Sequence, residues 1–336
     1  MPILREWPAD KLAHTLIAGL PWNEVGESPV TLARLRVSLL GSRERALSPV
    51  PNLMFMRDPC LSIYDRFMPA RMATRARARE SVLVAFAMRY GLGTPADGLL
   101  FPQDGHGGGA LEGGDLLVLS DDMLFVGCSE RTRPEAIEEF ARHALFPAFP
   151  ELRRIYAVMM PEQRSIMHLD TILTQVDRDL FLCHEPLVCG DESDRALQVV
   201  RLEQDREPAL VAGATVADVL REELGASLRF SPCGGHNPLH QEREQWTDGA
   251  NAVALGPSHI VLYSRNTWTI DTLCREHGFM QITINPEQPP AERRDVIAAG
   301  MDFERTIFAF TGSELSRARG GGRCLTMPLS RAPLEP

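Results

Sequence analysis

Strand, tight turn, strand, helix, strand: the chain runs through this order of elements at least twice, and no other feature of the sequence constrains its fold as much. In the first run the apolar stretches LLVL and MLFVG flank a turn at Ser120-Asp121-Asp122, a hairpin signal. A helix with proline at its first turn follows over 134–146, and then the strand RRIYAVMM. In the second, MHLDTILTQVDRDLFLC holds two strands around Asp177-Arg178-Asp179, with a helix over 214–225 and the strand SLRFSPC behind them. NAVALGPSHIVLYS then turns at Gly256-Pro257 and leads to the helix TWTIDTLCREHG and the strand FMQITI. His277 in the last turn and Gly278 after it are the stop signals of that helix. Recurrence with so little sequence identity predicts a structural repeat within one domain, with ββαβ units ringing a central site.

The rest of the chain is read by periodicity and breakers. Residues 9–20 and 29–40 predict short amphipathic helices separated by the turn-rich PWNEVGES, and 72–90 predicts a longer helix. PVPNLMFMRDP, 49–59, is an apolar run pinned by prolines and ending in charge. Residues 286–305, rich in proline and charge, are expected to form a surface insertion.

Composition excludes several classes of function. A formal net charge of −10 argues against nucleic acid, whose phosphates demand a basic face. Lys11 is the only lysine among 35 basic residues, a skew of composition rather than of mechanism. The seven cysteines include no CxxC pair, so neither a zinc ribbon nor a thioredoxin-like motif is supported. The N-terminal stretch carries Glu6 and Asp10 with no long apolar region, unlike a signal peptide, and no run reaches the length of a membrane span. A reduced, cytoplasmic enzyme is expected, with no membrane or nucleic-acid partner.

Three segments break the pattern of an ordinary core. In Met167-His168-Leu169-Asp170, strand alternation sends His168 and Asp170 into one cleft, where the carboxylate favours the imidazolium and suits it to general acid work. The alternative is a surface strand with its polar residues outward. In Arg319-Gly320-Gly321-Gly322-Arg323-Cys324, glycines permit close approach of the backbone to a ligand, and the two arginines are expected to lower the thiol's pKa. The alternative is a flexible loop with Cys324 merely buried. Asp58 in MRDP and Glu112 in LEGGD sit in turn-like contexts. A guanidinium, planar with five N–H donors, is bound bidentately by carboxylates, so Asp58 and Asp170 suit the two sides of one such group, with Glu112 engaging it and His168. For any one of these acids alone, turn stabilisation is the competing account.

Taken together and in order, PNLMFMRDP, LEGGD, GCSERT, MHLDT, REQWTDGAN and GSELSRARGGGRCLTMP resemble the arginine deiminases of the guanidino-group-modifying superfamily, over roughly residues 9 to 332. The resemblance implies an α/β propeller of five pseudo-repeated ββαβ units that hydrolyses L-arginine to L-citrulline and ammonia without metal or organic cofactor. It implies Cys324 as nucleophile, His168 as general acid and base, and Asp58, Glu112 and Asp170 as guanidinium-binding carboxylates. It further implies that Asn52, Arg77 and Arg131 hold the substrate's α-carboxylate, that Phe55 lines the site, and that Arg319 is the mobile arginine beside the nucleophile. About fifty residues precede PNLMF and resemble the end of the family's helical portion. Residues 1–48 are therefore expected to be a helical remnant and 49–336 the catalytic propeller, whose first repeat can be incomplete. Ala318 and Leu325 replace a glycine and a methionine usual in the family. An amidinotransferase with the same Cys–His–acid set, methylarginine hydrolysis, and a catalytically impaired arginine-binding relic are the rival readings, and homo-oligomer formation is left open.

Overall fold

Four two-residue turns set the architecture. Tyr64-Asp65, Asp121-Asp122, Arg178-Asp179 and Pro257-Ser258 each join a pair of antiparallel strands. Two of them place a non-glycine residue at positive φ, Tyr64 at 49° and Ser258 at 64°, the left-handed geometry that short hairpins tolerate. The computed structural model describes residues 6–24, 31–40, 45–100, 108–190 and 195–331.

Behind each hairpin the chain makes a helical crossover and returns parallel to the hairpin's second strand, the connection that parallel pairing requires. After Met123–Cys128 come the helix Pro134–Phe140 and the strand Arg154–Met159, parallel to it. After Leu180–Cys183 come the helix Val216–Leu224 and Arg229–Pro232, again parallel. In the first unit the hairpin Cys60–Ile63 and Arg66–Pro69 is followed by the helix Ala78–Phe86 and a single parallel bridge from Phe67 to Leu99. The fourth pairs Val253–Gly256 with His259–Tyr263 and then runs through the helix Thr267–His277 to Met280–Ile284. Among the described residues the fold is thus a mixed α/β assembly of four ββαβ units.

Helix faces follow the sequence pattern. Val216–Leu224 is started by a reciprocal capping box between Thr215 and Asp218, and buries Val216, Ala217, Val219 and Leu220. Thr267–His277 ends on Gly278 at φ 72°, as its stop signals predict. The two N-terminal helices are Ala9–Ala18 and Thr31–Leu40, close to the expected bounds; the second exposes Leu32, Leu35 and Leu39. Part of the turn PWNEVGES lies outside the described residues. No described helix is long and apolar enough to cross a membrane.

Two expectations are corrected. Residues 286–305 are not a mere surface insertion. They form the helix Pro290–Met301, which carries the chain to the strand Thr306–Phe310, wedged between His259–Tyr263 and Met280–Ile284 and parallel to both. The apolar run TIFAF is buried on both faces as a central strand, and the proline-rich stretch is the start of its crossover. The helix expected over 72–90 begins only at Ala78, because Arg71 is held in a bridge to Leu111 and a short turn fills 75–77.

Candidate active site

Each unit delivers polar residues from the segment that enters its first strand. Asp58 stands two residues ahead of Cys60, Glu112 four ahead of Leu116, His168 and Asp170 five and three ahead of Leu173, and Asn251 two ahead of Val253. These entry segments are tied to one another and to the Cys324 loop in a closed circuit of hydrogen bonds. Gly113 N donates to Asp58 O (3.0 Å), and Leu169 N to Asp115 Oδ1 (2.9 Å). Asn251 Nδ2 donates to Asp170 O (2.9 Å) and Cys324 N to Asn251 Oδ1 (3.1 Å). Arg57 N closes the circuit on Cys324 O (3.1 Å).

Inside this circuit lie Asp58, Glu112, His168, Asp170 and Cys324, all buried. His168 Nε2 is 2.9 Å from Glu112 Oε2, and its Nδ1 is 3.8 Å from Asp58 Oδ1. Glu112 Oε1 accepts from Ala73 N at 2.8 Å, which aims the carboxylate at the ring. Gly114 packs against that ring: a Cβ there lies 2.7 Å from the His168 ring and 3.1 Å from Asp58 Oδ1, so the GGD turn has no room for a side chain. Cys324 Sγ is 4.0 and 3.9 Å from the two carboxylate oxygens of Asp170. Asp58 Oδ1 is buried and, apart from its 3.8 Å ion pairing with His168 Nδ1, has no hydrogen-bond partner.

The HxD segment is not a strand. His168 is extended at φ −137°, ψ 154°, but Leu169–Thr171 is a single 3-10 turn, and the strand starts at Leu173. His168 and Asp170 therefore reach the site from a tight turn and face different partners. Burial pulls the His168 imidazolium down, yet the carboxylates of Asp58, Glu112 and Asp115 outweigh it and push its pKa up to about 10. Asp170 does not hold the ring protonated; it accepts from Arg323 Nη1 at 2.6 Å.

The thiol also departs from expectation. Burial, then the carboxylates of Asp170, Asp58 and Asp248, push Cys324 well above an ordinary cysteine. Neither nearby arginine offsets this. Arg323 is spent on Asp170 and on Leu116 O (2.8 Å), and half-buried Arg319 reaches away to Ser165 O (2.7 Å) and Trp246 O, stacking on the Trp246 ring. The two shifts thus pair an imidazolium with a neutral thiol.

The remaining expected residues divide. The buried Phe55 ring lies against Gly320 of the Cys324 loop. Arg77 is in the site, but it is locked: Nη1 donates to Asp58 Oδ2 (2.5 Å), Nε to Glu80 Oε2 (2.9 Å), and Nη2 to the carbonyls of Asn52 and Phe55. Asn52 is half-buried and meets Arg77 through its backbone. Arg131 Nε is buried 3.4 Å from Glu130 Oε1, an ion pair without hydrogen-bond geometry.

Residue-by-residue reading passed over Asp115, Glu80, Asp248 and Asn251. Asp115 and Asn251 end the motifs LEGGD and REQWTDGAN, so turn-bound polar residues in those motifs were the available signal. Asp115 accepts from Ser129 Oγ (2.7 Å) and Leu169 N, and burial raises its carboxyl to about 7.

Asp248 is raised to about 7 by burial as well, with Oδ2 lacking any partner. Its folded pKa lies above the unfolded value near 3.8, so ionisation costs stability progressively from pH 4 upward and fully above 7. Asp248 has φ 63°, a conformation asparagine also adopts readily. Asp248→Asn is therefore expected to melt later than the wild type at pH 8, by the order of a few kcal/mol, with the gain vanishing towards pH 4. Melting curves at the two pH values check this; an equal shift at both contradicts the assigned cause.

The ligand atoms of Asp58, Glu112 and His168 all lie within 4.8 Å of one another, a spacing that suits a metal ion as well as a bound cation. A protonated imidazole has no lone pair to give a metal, and its carboxylate neighbours already keep it charged. The arrangement suits a planar cation with N–H donors at its edges, set among carboxylates and a thiol, the set of groups that guanidine or amidine chemistry uses.

The comparisons make the class particular: the chain belongs to the arginine deiminase family, whose model matches residues 9–331. The arginine deiminase of Bacillus cereus (strain B4264) is 32% identical over 324 residues, covering 96% of this chain and 72% of its own length. That of Oenococcus oeni (strain ATCC BAA-331 / PSU-1) is 31% identical over 329 residues, covering 98% and 72%. Among solved structures, unliganded AgrE is similar in fold, with a TM-score of 0.50 and 15% identity over 84% of this chain and 31% of that one.

Proposed function

We propose that this chain hydrolyses L-arginine to L-citrulline and ammonia, with Cys324 as nucleophile and His168 as proton carrier. Membership in the arginine deiminase family supports the reaction. One observation carries the assignment of residues: a charged imidazole is gathered with Asp58 and Glu112 within 4.8 Å, a buried thiol lies 3.9–4.0 Å from the Asp170 carboxylate, and one hydrogen-bond circuit ties the two groups together.

In this reading the guanidinium enters between Asp58 and Asp170, its positive charge favours the thiolate that burial disfavours, and the thiol proton passes to solvent. The Cys324 sulfur attacks the guanidinium carbon, forming a C–S bond. His168 gives its proton to the departing nitrogen, which leaves as ammonia and breaks the C–N bond. The neutral ring then takes a proton from water, hydroxide adds to the thiouronium carbon, the sulfur leaves as thiolate, and the O–H proton passes to solvent as citrulline is released. Glu112 orients the ring through both steps. Arg77, already locked between Asp58 and Glu80, sets the direction of Asp58, which leaves Arg131 as the arginine that meets the substrate's α-carboxylate. Asn52 and Phe55 shape that end of the site, and Arg319 is the arginine that moves when substrate enters.

The closed circuit of five segments supports five pseudo-repeats, with 49–336 as the catalytic unit and 1–48 as a helical remnant. All seven cysteines are unpaired, in keeping with a reduced, cytoplasmic setting.

Purified protein incubated with arginine labelled at the guanidinium carbon tests the reaction. Citrulline with one equivalent of ammonia is the expected product pair. Ornithine formed only when an acceptor amine is added identifies an amidinotransferase instead, and no turnover identifies a binding relic. The role of Arg131 has its own test. Loss of one charged hydrogen-bonding partner costs about 1.5–3 kcal/mol, so Arg131→Ala is expected to raise KM for arginine about 10- to 100-fold. Agmatine, which lacks the carboxylate, is expected to be a poor substrate of both forms; an agmatine rate equal to that of arginine contradicts the role.

A further inference from the structure

The loop that carries Cys324 has few bonds of its own: Gly321 N faces the thiol, Leu325 N donates to Gly321 O (3.3 Å) and Thr326 N to Arg323 O (3.1 Å). Arg319-Gly320-Gly321-Gly322-Arg323-Cys324 contains three consecutive glycines and, over Gly320–Leu325, no regular secondary structure. The loop is instead fastened from outside. Tyr263 Oη donates to Gly320 O (2.7 Å), Arg57 Nε to Arg323 O (3.3 Å), and Arg57 N to Cys324 O. The amide of Cys324 itself has one partner, the side-chain carbonyl of Asn251.

Asn251 is fully buried and uses both ends of its amide. Oδ1 accepts from Cys324 N at 3.1 Å, and Nδ2 donates to Asp170 O at 2.9 Å. One planar group thus fixes the backbone of the thiol against that of the carboxylate 3.9–4.0 Å from the sulfur. Its backbone contributes too, since Arg323 N donates to Asn251 O (3.4 Å). Gly321 lies flat on it, a Cβ at that position coming 2.5 Å from Asn251 Oδ1.

The segment that carries Asn251 is itself braced. Gln245 Nε2 reaches Ser165 O (2.7 Å) and Thr171 O (3.3 Å), and Thr174 Oγ1 donates to Ala250 O (2.6 Å). In the fourth unit Asn251 stands where the first three units place Asp58, Glu112 and the His168–Asp170 pair, just ahead of the first strand. It occupies a site position without offering the site a charge.

We propose that Asn251 is a positioning residue for the reaction: its amide clamps the Cys324 backbone to the Asp170 backbone and so sets the distance and line of attack of the sulfur on a guanidinium held by Asp170. The clamp acts on the chemical step, because near-attack geometry is sensitive to displacements of about an ångström. The amide suits the place because it accepts from one backbone N–H and donates to one backbone C=O at once, in one plane and without a charge. The proposal rests on Cys324 being the nucleophile.

The test compares wild type with N251D and N251A, measuring citrulline formation per active site. Active sites are counted by stoichiometric alkylation of Cys324 with chloroacetamidine, an amidine-shaped electrophile. N251D keeps the shape and the acceptor and, once ionised, turns a carboxylate oxygen on Asp170 O, so its loss of one bond deepens as pH rises; N251A loses both bonds at every pH. Expected for each is a fall in kcat of about 10- to 100-fold per titrated site, the scale of about 1 Å of misplacement. KM is expected to stay within about threefold, and the alkylation rate constant to fall in parallel with kcat. A variant with wild-type kcat per titrated site overturns the proposal, even where less protein folds, because a purely structural role changes only the number of sites. If N251A does not fold, N251D alone decides. A wild type that alkylates at Cys324 but forms no citrulline overturns the reading of function beneath it, which sets that failure apart from failure of the clamp.

Discussion

Replacing Cys324 with serine is expected to lower citrulline formation by at least about 10⁴-fold while arginine still binds, because the change removes the only atom that bonds to substrate. The carboxylates that seat the cation are untouched by it: Asp58 keeps its oxygen without a hydrogen-bond partner and Asp170 its pairing with Arg323. Oxygen is a far poorer nucleophile than sulfur here. The site disfavours anions at this position, since burial and the carboxylates of Asp170, Asp58 and Asp248 already push the thiol upward. Titration of the variant with arginine by calorimetry, beside a citrulline assay, separates the two effects. Full turnover in Cys324→Ser sinks covalent catalysis, and lost binding with lost turnover assigns the cysteine to architecture.

The second large effect belongs to Glu112. Its carboxylate, 2.9 Å from His168 Nε2, is one of three that hold the ring charged at a pKa of about 10. Above that pH the proton needed for ammonia departure is lost, so the alkaline limb of kcat/KM in the free enzyme follows this group, coupled to the thiol. Glu112→Gln removes the charge and is expected to cost about 10²- to 10⁴-fold in turnover and move the alkaline limb down by a unit or more. The sign follows from the cation: losing a neighbouring anion makes the imidazolium easier to deprotonate. Asp170→Asn is expected to lose turnover as severely, through loss of one side of the guanidinium clamp, but without that shift, because Asp170 is paired with Arg323 and not with the ring. Profiles of the same shape for wild type and Glu112→Gln contradict the assigned role of the ion pair.

These expectations differ from those the sequence alone supports, and the difference is physical. The hairpins were legible because each turns on two residues between apolar runs, a short-range signal. The candidate residues Asp58, Glu112, His168 and Asp170 stood out because they fall in turns just ahead of strands, and Cys324 because it ends a glycine run. The period-two reading of Met167–Asp170 failed because four residues do not distinguish a strand from an extended residue followed by a 3-10 turn. The reading of the thiol failed for a different reason: Arg323 is adjacent to Cys324 in sequence, but its guanidinium goes to Asp170, 153 residues away. Arg77 likewise meets Asp58 across 19 residues and Glu80 across 3, and nothing local fixes that choice. Charge partners in a buried site are set by the fold, whereas the order of polar turns is set along the chain.

The covalent step is the centre of the account, and one measurement addresses it directly. Protein mixed with L-arginine is quenched in acid within the first turnovers, digested, and the peptide carrying Cys324 is weighed by mass spectrometry. The account predicts an adduct on Cys324 with the mass of arginine less ammonia, formed before citrulline accumulates and absent from Cys324→Ser. Citrulline produced at full rate with Cys324 never modified, or the adduct found on another of the seven cysteines, contradicts it.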